Sequence, residues 1–181
     1  MKMNVPNCLT ILRIFMVPVF VVFMLADVLG GADRYIAGIL FIAASLTDTL
    51  DGYLARKNNQ ITVFGKFMDP LADKLLVCSA MICLVELGQL PGWIVIIIVG
   101  REFIISGFRL VAAEQGVVIA ASYWGKFKTV AQMVMVILLV FDFGGAFDAA
   151  EQIFIWLAAI LTVISLVDYM YKNRGVLREV H

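Results

Sequence analysis

The chain has 181 residues, of which 62% are hydrophobic and 15% charged, and its 14 basic and 14 acidic side chains cancel to zero net charge. Soluble domains are closer to half apolar and about a quarter charged, so a water-solvated fold of this composition would lack the polar residues to cover its surface. Most of the chain must therefore be solvated by lipid, and the absent global field gives no reason to expect a nucleic-acid partner.

The first apolar run, 10–29, follows a weak basic start with a single Lys2 and has no small-x-small cleavage pattern, so it reads as a retained membrane helix and not a signal peptide. Five further runs follow at 35–54, 67–87, 92–113, 126–143 and 150–171. Each approaches the roughly 20 apolar residues that a spanning helix requires. Backbone polar groups in lipid must be satisfied internally, and these runs lack the alternation of barrel strands. The expected fold is all-α, with six transmembrane helices in one membrane domain over 1–181. The connections are short, as at Gly30-Gly31-Ala32-Asp33, Gly88-Gln89-Leu90-Pro91-Gly92 and Gly144-Gly145, and no internal repeat is visible.

Sidedness follows from the basic residues. With the N-terminus inside, the inner ends hold Lys2, Arg13, Arg56, Lys57, Lys66, Lys74, Arg109, Lys126, Lys128, Lys172, Arg174 and Arg178. The outer ends hold Arg34 alone, beside Asp33, Glu86, Asp142, Asp148 and Glu151. Both termini are predicted to be cytoplasmic. Arg101 and Glu102 lie inside the fourth run, where a polar bond between helices is the expected role. As neighbours in sequence they do not share a helix face, so different partners are expected. Cys8, Cys78 and Cys83 have no CxxC or Cys/His spacing, so neither zinc nor a disulfide framework is suggested. The only histidine is His181, which removes histidine acid–base chemistry, and the nine methionines read as packing.

The chemistry concentrates where the second run ends and the third begins: Asp48-Thr-Leu-Asp51-Gly52, then Asp69-Pro-Leu-Ala-Asp73. Residues three or four apart share a helix face, so Asp48 and Asp51 project together, as do Asp69 and Asp73. The short 57–64 connection makes the two helices antiparallel neighbours, and four carboxylates converge at the cytoplasmic end. Their repulsion must be relieved by protonation or by cations. Oxygen donors without Cys or His select hard ions, and four aspartates suffice for two divalent cations, Mg²⁺ or Mn²⁺. The competing structural reading makes them caps and ion-pair partners for Arg56, Lys57, Lys66 and Lys74, with Asp69 capping a helix that starts at Pro70. Gly52 within a helix weighs against that reading, because glycine there costs about 1 kcal/mol relative to alanine.

The pattern Asp48-x2-Asp51-Gly52-x2-Ala55-Arg56-x8-Gly65-x3-Asp69-x3-Asp73 resembles the signature of the CDP-alcohol phosphotransferases at every defined position. The six-run layout is similar to that family over nearly the whole chain. Pro6-Asn7-x-Leu9-Thr10-x2-Arg13 and Phe67-Met68-Asp69-Pro70-Leu71-Ala72-Asp73-Lys74 resemble the bacterial branch that makes phosphatidylglycerophosphate. The resemblance implies transfer of the phosphatidyl group of CDP-diacylglycerol to sn-glycerol 3-phosphate, with release of CMP, in phospholipid biosynthesis. It implies that Asp48, Asp51, Asp69 and Asp73 hold two metals and that Asp73 is the general base. It assigns Gly52, Arg56 and Thr62 to the donor's cytidine diphosphate, with Asn7 and Thr10 as further candidates. It also implies a homodimer in the bacterial cell membrane with its active site facing the cytoplasm. The acceptor's phosphate needs cations, and Arg109 and Lys126 are the candidates; Lys128, two residues on, cannot face the same way as Lys126.

Two other readings compete. A cardiolipin synthase, or another family member with a different acceptor, would share the aspartates and use another alcohol. A metal or proton-coupled transporter would place its acids near the bilayer midplane in two related halves, whereas here they cluster at one end of one helix pair.

Overall fold

The computed structural model describes residues 5–57, 63–114, 116–117, 119–120 and 122–174, and omits the side chains of 5, 6, 48–57, 63–67, 69 and 70. Among the described residues there are six α-helices and no strand: α1 Val5–Leu25, α2 Asp33–Lys57, α3 Val63–Glu86, α4 Gly92–Glu114, α5 Tyr123–Phe141 and α6 Asp148–Lys172. The six predicted runs are all present as helices. Three described stretches, Asn7–Leu25, Tyr123–Phe141 and Gly145–Lys172, are long and apolar enough by length and composition to cross a membrane. The other three helices are of comparable length, and α4 carries Arg101 and Glu102 near its middle. Large apolar side chains point outward along the helices, with Phe15, Ile96, Phe103 and Leu110 each at least 65% exposed. Such surface is unfavourable in water and expected against lipid tails.

The helix ends differ most from the sequence reading in the first and third helices. The first helix runs from Val5 to Leu25, not over 10–29, because the following chain turns through Gly30 and Gly31 at φ 60° and 90°. The Asp33 carboxylate accepts the Leu29 N–H at 3.0 Å, and Asp27 accepts the Gly30 N–H at 3.0 Å, which holds this turn. The third helix begins at Val63, so Asp69 lies within it and is not the cap of a helix opening at Pro70. The ends of α3 and α4 follow a common rule. Gly88 and Gly116 adopt positive φ, and paired bonds (Gln89 N–H to Leu84 O, Val117 N–H to Ala112 O) close each C-terminus in a Schellman arrangement.

The chain forms two compact units: one of Met1–Gln89 with Val136–Asp142, the other of Leu90–Met135 with Phe143–His181. In the first, α1 packs against α2 and α3, and α2 against α3. Its core includes Phe20, Phe41, Ala72, Leu76, Met81 and Leu84, with the rings of Phe20 and Phe41 6.0 Å apart. Arg34 pairs with Asp142, and Gln89 donates to the same carboxylate at 3.0 Å. These bonds gather the start of α2, the α3–α4 connection and the end of α5 at one end of the unit. In the second unit, α4 packs on α6, with Ile105 and Phe108 in one buried cluster with Tyr169, and Ile94, Ile98, Ile155 and Ala158 are buried as well.

Candidate active site

In the first unit, Asp48, Asp51, Gly52 and Arg56 lie on the helical backbone of the last turns of α2, and Asp69 and Asp73 on the first turns of α3. The expected i/i+3 and i/i+4 pairs are therefore both helical, on helices that pack together. The side chains of Asp48, Asp51, Arg56 and Asp69 lie outside the described ones, as does Thr62 entirely. Among the described residues no group of three or more metal-ligating side chains occurs, and of the four aspartates only the half-buried Asp73 has a described side chain.

The inner face of α1 carries a polar stripe. Asn7, Thr10 and Arg13 are 2%, 0% and 0% exposed and follow one another at helical spacing. Arg13 donates from Nε to the Ala44 carbonyl of α2 at 3.2 Å, and the Thr47 hydroxyl donates to the same oxygen at 2.6 Å. Ala44 is one helical turn before Asp48, so Arg13 ties α1 to α2 immediately before the carboxylates. The sequence reading placed Arg13 among the inner flanking charges and in the Pro6–Arg13 stretch of the resemblance, without giving it a structural partner. The signal was present in the i, i+3, i+6 spacing of three polar groups on an apolar helix, which marks a buried face and not a solvated end.

In the second unit, a cleft of about 410 Å³ is lined by Arg101, Glu102, Arg109, Ser122, Gly125, Lys126, Thr129, Val130 and Tyr169. Its volume falls within the range of roughly 300–1,000 Å³ usual for small-molecule sites. Arg109 and Lys126, the expected acceptor cations, both line it. Arg109 is held against α6: its Nε donates to the Tyr169 hydroxyl at 3.4 Å, and its guanidinium lies 5.7 Å from the Tyr169 ring centre. Tyr169 is 2% exposed and meets the Phe108 ring edge-on at 5.8 Å. Lys126 is exposed, with Nζ 5.4 Å from the Tyr123 ring centre. Lys128 does not line the cleft; it is 2% exposed and pairs with Glu102. The two-residue spacing separates the lysines as expected.

Arg101 joins α4 to α6 through Nε donating to Ser165 Oγ at 3.1 Å. This is the interhelical polar bond expected from its position. Contrary to the expectation of separate partners, Arg101 and Glu102 also pair with each other, Nη1 to Oε1 at 3.0 Å. A long guanidinium can curl to its neighbour even though their Cβ atoms diverge. The first turn of α5 completes the cleft, where the Gly125 N–H donates to Ser122 Oγ at 3.1 Å in an N-cap. The cleft holds three cationic side chains and a helix N-terminus against one carboxylate, Glu102, which is itself ion-paired, so the balance suits an anion. Ser122, Ser165 and Tyr169 were missed by sequence reasoning. The i/i+4 pair Ser165 and Tyr169 in an otherwise apolar helix was the available sign.

Residues 3–164 match the family model described as CDP-alcohol phosphatidyltransferase. The chain is 45% identical to the CDP-diacylglycerol–glycerol-3-phosphate 3-phosphatidyltransferase of Bacillus subtilis strain 168, over 94% of this chain and 95% of the relative. It is 41% identical to the protein of the same name from Haemophilus influenzae, over 99% of this chain and 98% of that one. A relative of that name from Rickettsia typhi is 38% identical, over 92% of this chain and 94% of its own length.

Proposed function

The chain belongs to the CDP-alcohol phosphatidyltransferase family, and we infer that it is the transferase that moves the phosphatidyl group of CDP-diacylglycerol to sn-glycerol 3-phosphate. The products are phosphatidylglycerophosphate and CMP, a step of phospholipid biosynthesis leading toward phosphatidylglycerol. The observation that carries this reading is identity of 38–45% over nearly the whole chain to relatives bearing that name.

The donor set fits hard divalent cations: four carboxylates in two helical pairs, on helices that pack together. Asp48, Asp51 and Asp69 would hold one ion, and Asp48, Asp69 and Asp73 the other. When bound, two ions of Mg²⁺ or Mn²⁺ would neutralise the donor's pyrophosphate and the charge developing on CMP. Arg56 would supply a further cation for the same pyrophosphate. Gly52 would leave backbone open to the cytidine diphosphate, and Thr62, Asn7 and Thr10 would bind the same group. Asp73 accepts the proton of the acceptor's 1-hydroxyl as that oxygen bonds to the phosphatidyl phosphorus. The pyrophosphate P–O bond breaks, and CMP leaves with the bridging oxygen and its electron pair. Arg109 and Lys126 hold the acceptor's phosphate in the cationic cleft.

The enzyme is placed in the bacterial cell membrane with six spans, both termini and the active site cytoplasmic, and works as a homodimer. The charge bias of the loops supports the orientation, and the family resemblance supports the dimer. The deciding experiment is CMP release by the purified enzyme from CDP-diacylglycerol in mixed micelles, with each acceptor in turn. Release that depends on glycerol 3-phosphate is expected. Release that requires phosphatidylglycerol and ignores glycerol 3-phosphate makes the chain a cardiolipin synthase and overturns this reading.

A further inference from the structure

We propose that Arg101 is a third cation of the acceptor cleft, aimed in advance at the phosphate, and that Gly125 is glycine in order to leave room for it. The proposal rests on the cleft being the acceptor's phosphate site. A guanidinium has three nitrogens, and two of them are occupied here. Nε donates to Ser165 Oγ at 3.1 Å, and Nη1 donates to Glu102 Oε1 at 3.0 Å. Glu102 is itself held by the buried Lys128. The chain Lys128–Glu102–Arg101–Ser165 thus fixes the plane of the guanidinium between α4, α5 and α6. Among the described residues Nη2 donates to no partner.

Nη2 points to the N-terminal turn of α5. A Cβ built on Gly125 would sit 3.2 Å from it and 3.7 Å from Ser122 Oγ. The first distance is tighter than an ordinary contact, so any side chain at this position would press on the one unoccupied nitrogen. Glycine is a poor helix former, and Gly125 is within the first turn of a helix, where alanine would serve the backbone better. Its Cβ-free face is what keeps Nη2 beside the cleft. A phosphate dianion there would gain a charge-assisted bond from a donor whose orientation is already fixed by Ser165 and Glu102. A free ammonium cannot be oriented in this way, since it lacks the fork that Ser165 and Glu102 engage.

The test is steady-state CMP release in mixed micelles, varying glycerol 3-phosphate and CDP-diacylglycerol separately, for Arg101→Lys, Gly125→Ala and the double variant. Each single variant is expected to raise KM for glycerol 3-phosphate about tenfold, the size of one charge-assisted hydrogen bond, while kcat and the donor KM stay within about twofold. The double variant should be no worse than Arg101→Lys alone, because the added methyl acts only through Nη2. If Arg101→Lys does not fold, Gly125→Ala carries the test by itself, since it leaves the bonds to Ser165 and Glu102 in place. Wild-type acceptor KM in Gly125→Ala overturns the proposal, as do multiplying effects in the double variant or equal losses in both KM values. Arg109→Gln separates this inference from the reading beneath it. Unchanged acceptor KM in that variant removes the cleft as the acceptor site. Raised KM there, with unchanged KM in Gly125→Ala, overturns the role of Arg101 and Gly125 alone.

Discussion

Gly38 of α2 is the tightest glycine among the described residues, and substituting it tests the packing of the first unit directly. A Cβ at Gly38 would lie 2.5 Å from Cζ, 2.6 Å from Cε2 and 2.9 Å from Cε1 of Phe141. Carbon atoms in good contact are about 3.5–4.0 Å apart, so the ring must retreat by roughly 1 Å. The Phe141 ring is also met edge-on by Tyr35, with centres 6.0 Å apart, which restricts where it can go. Overpacking of this kind costs about 1–3 kcal/mol, and alanine's better helix propensity returns about 1 kcal/mol, so Gly38→Ala should lose roughly 1 kcal/mol net. In a Phe141→Ala background the clash is gone, and the same substitution should instead stabilise by about 1 kcal/mol. The assay is denaturant unfolding in mild detergent followed by circular dichroism, run as a double-mutant cycle. Stabilisation by Gly38→Ala of equal size in both backgrounds would refute the close approach of α2 and the end of α5.

Other outcomes follow from the site. Asp48→Asn should reduce CMP release to background and shift the Mg²⁺ requirement of any residual activity upward; wild-type turnover would remove Asp48 from the shared ligand set. Asp73→Asn should lower turnover by about 10²–10⁴-fold while equilibrium binding of CDP-diacylglycerol persists, as loss of a general base predicts. Loss of donor binding in that variant would make Asp73 a structural or metal-holding residue first. Glu102→Leu removes the carboxylate shared by Arg101 and the Lys128 ammonium, which is 2% exposed, so about 3 kcal/mol of stability should be lost. Lys128→Met should cost less, because Glu102 keeps its bond to Arg101 at 3.0 Å; the reverse order in thermal melts would contradict this network.

The number and approximate position of the helices were legible in the residues, because lipid imposes a strong constraint: long apolar runs have no alternative to the helix. The helical backbone at the four aspartates was equally legible, and i/i+3 and i/i+4 spacing becomes a shared face wherever the backbone is helical. Helix ends were less so. The first helix stops at Leu25 because Asp33 and Asp27 capture the amides of Leu29 and Gly30, which depends on where the chain returns.

The amino-acid sequence by itself determined that this is a helical, lipid-facing protein and pointed to the four aspartates as its proposed metal holders, because composition and spacing act locally. Tertiary structure alone decided the fate of the remaining charges. Arg13, Arg101 and Lys128 look alike as inner or intramembrane cations, yet Arg13 is buried against a carbonyl of α2, Lys128 is buried on Glu102, and Arg101 keeps one nitrogen beside a cleft. A charge in a low-dielectric setting takes its role from its partners, and those partners come from helices distant in sequence. The same holds for Gly125: only the guanidinium packed against it makes the missing Cβ meaningful.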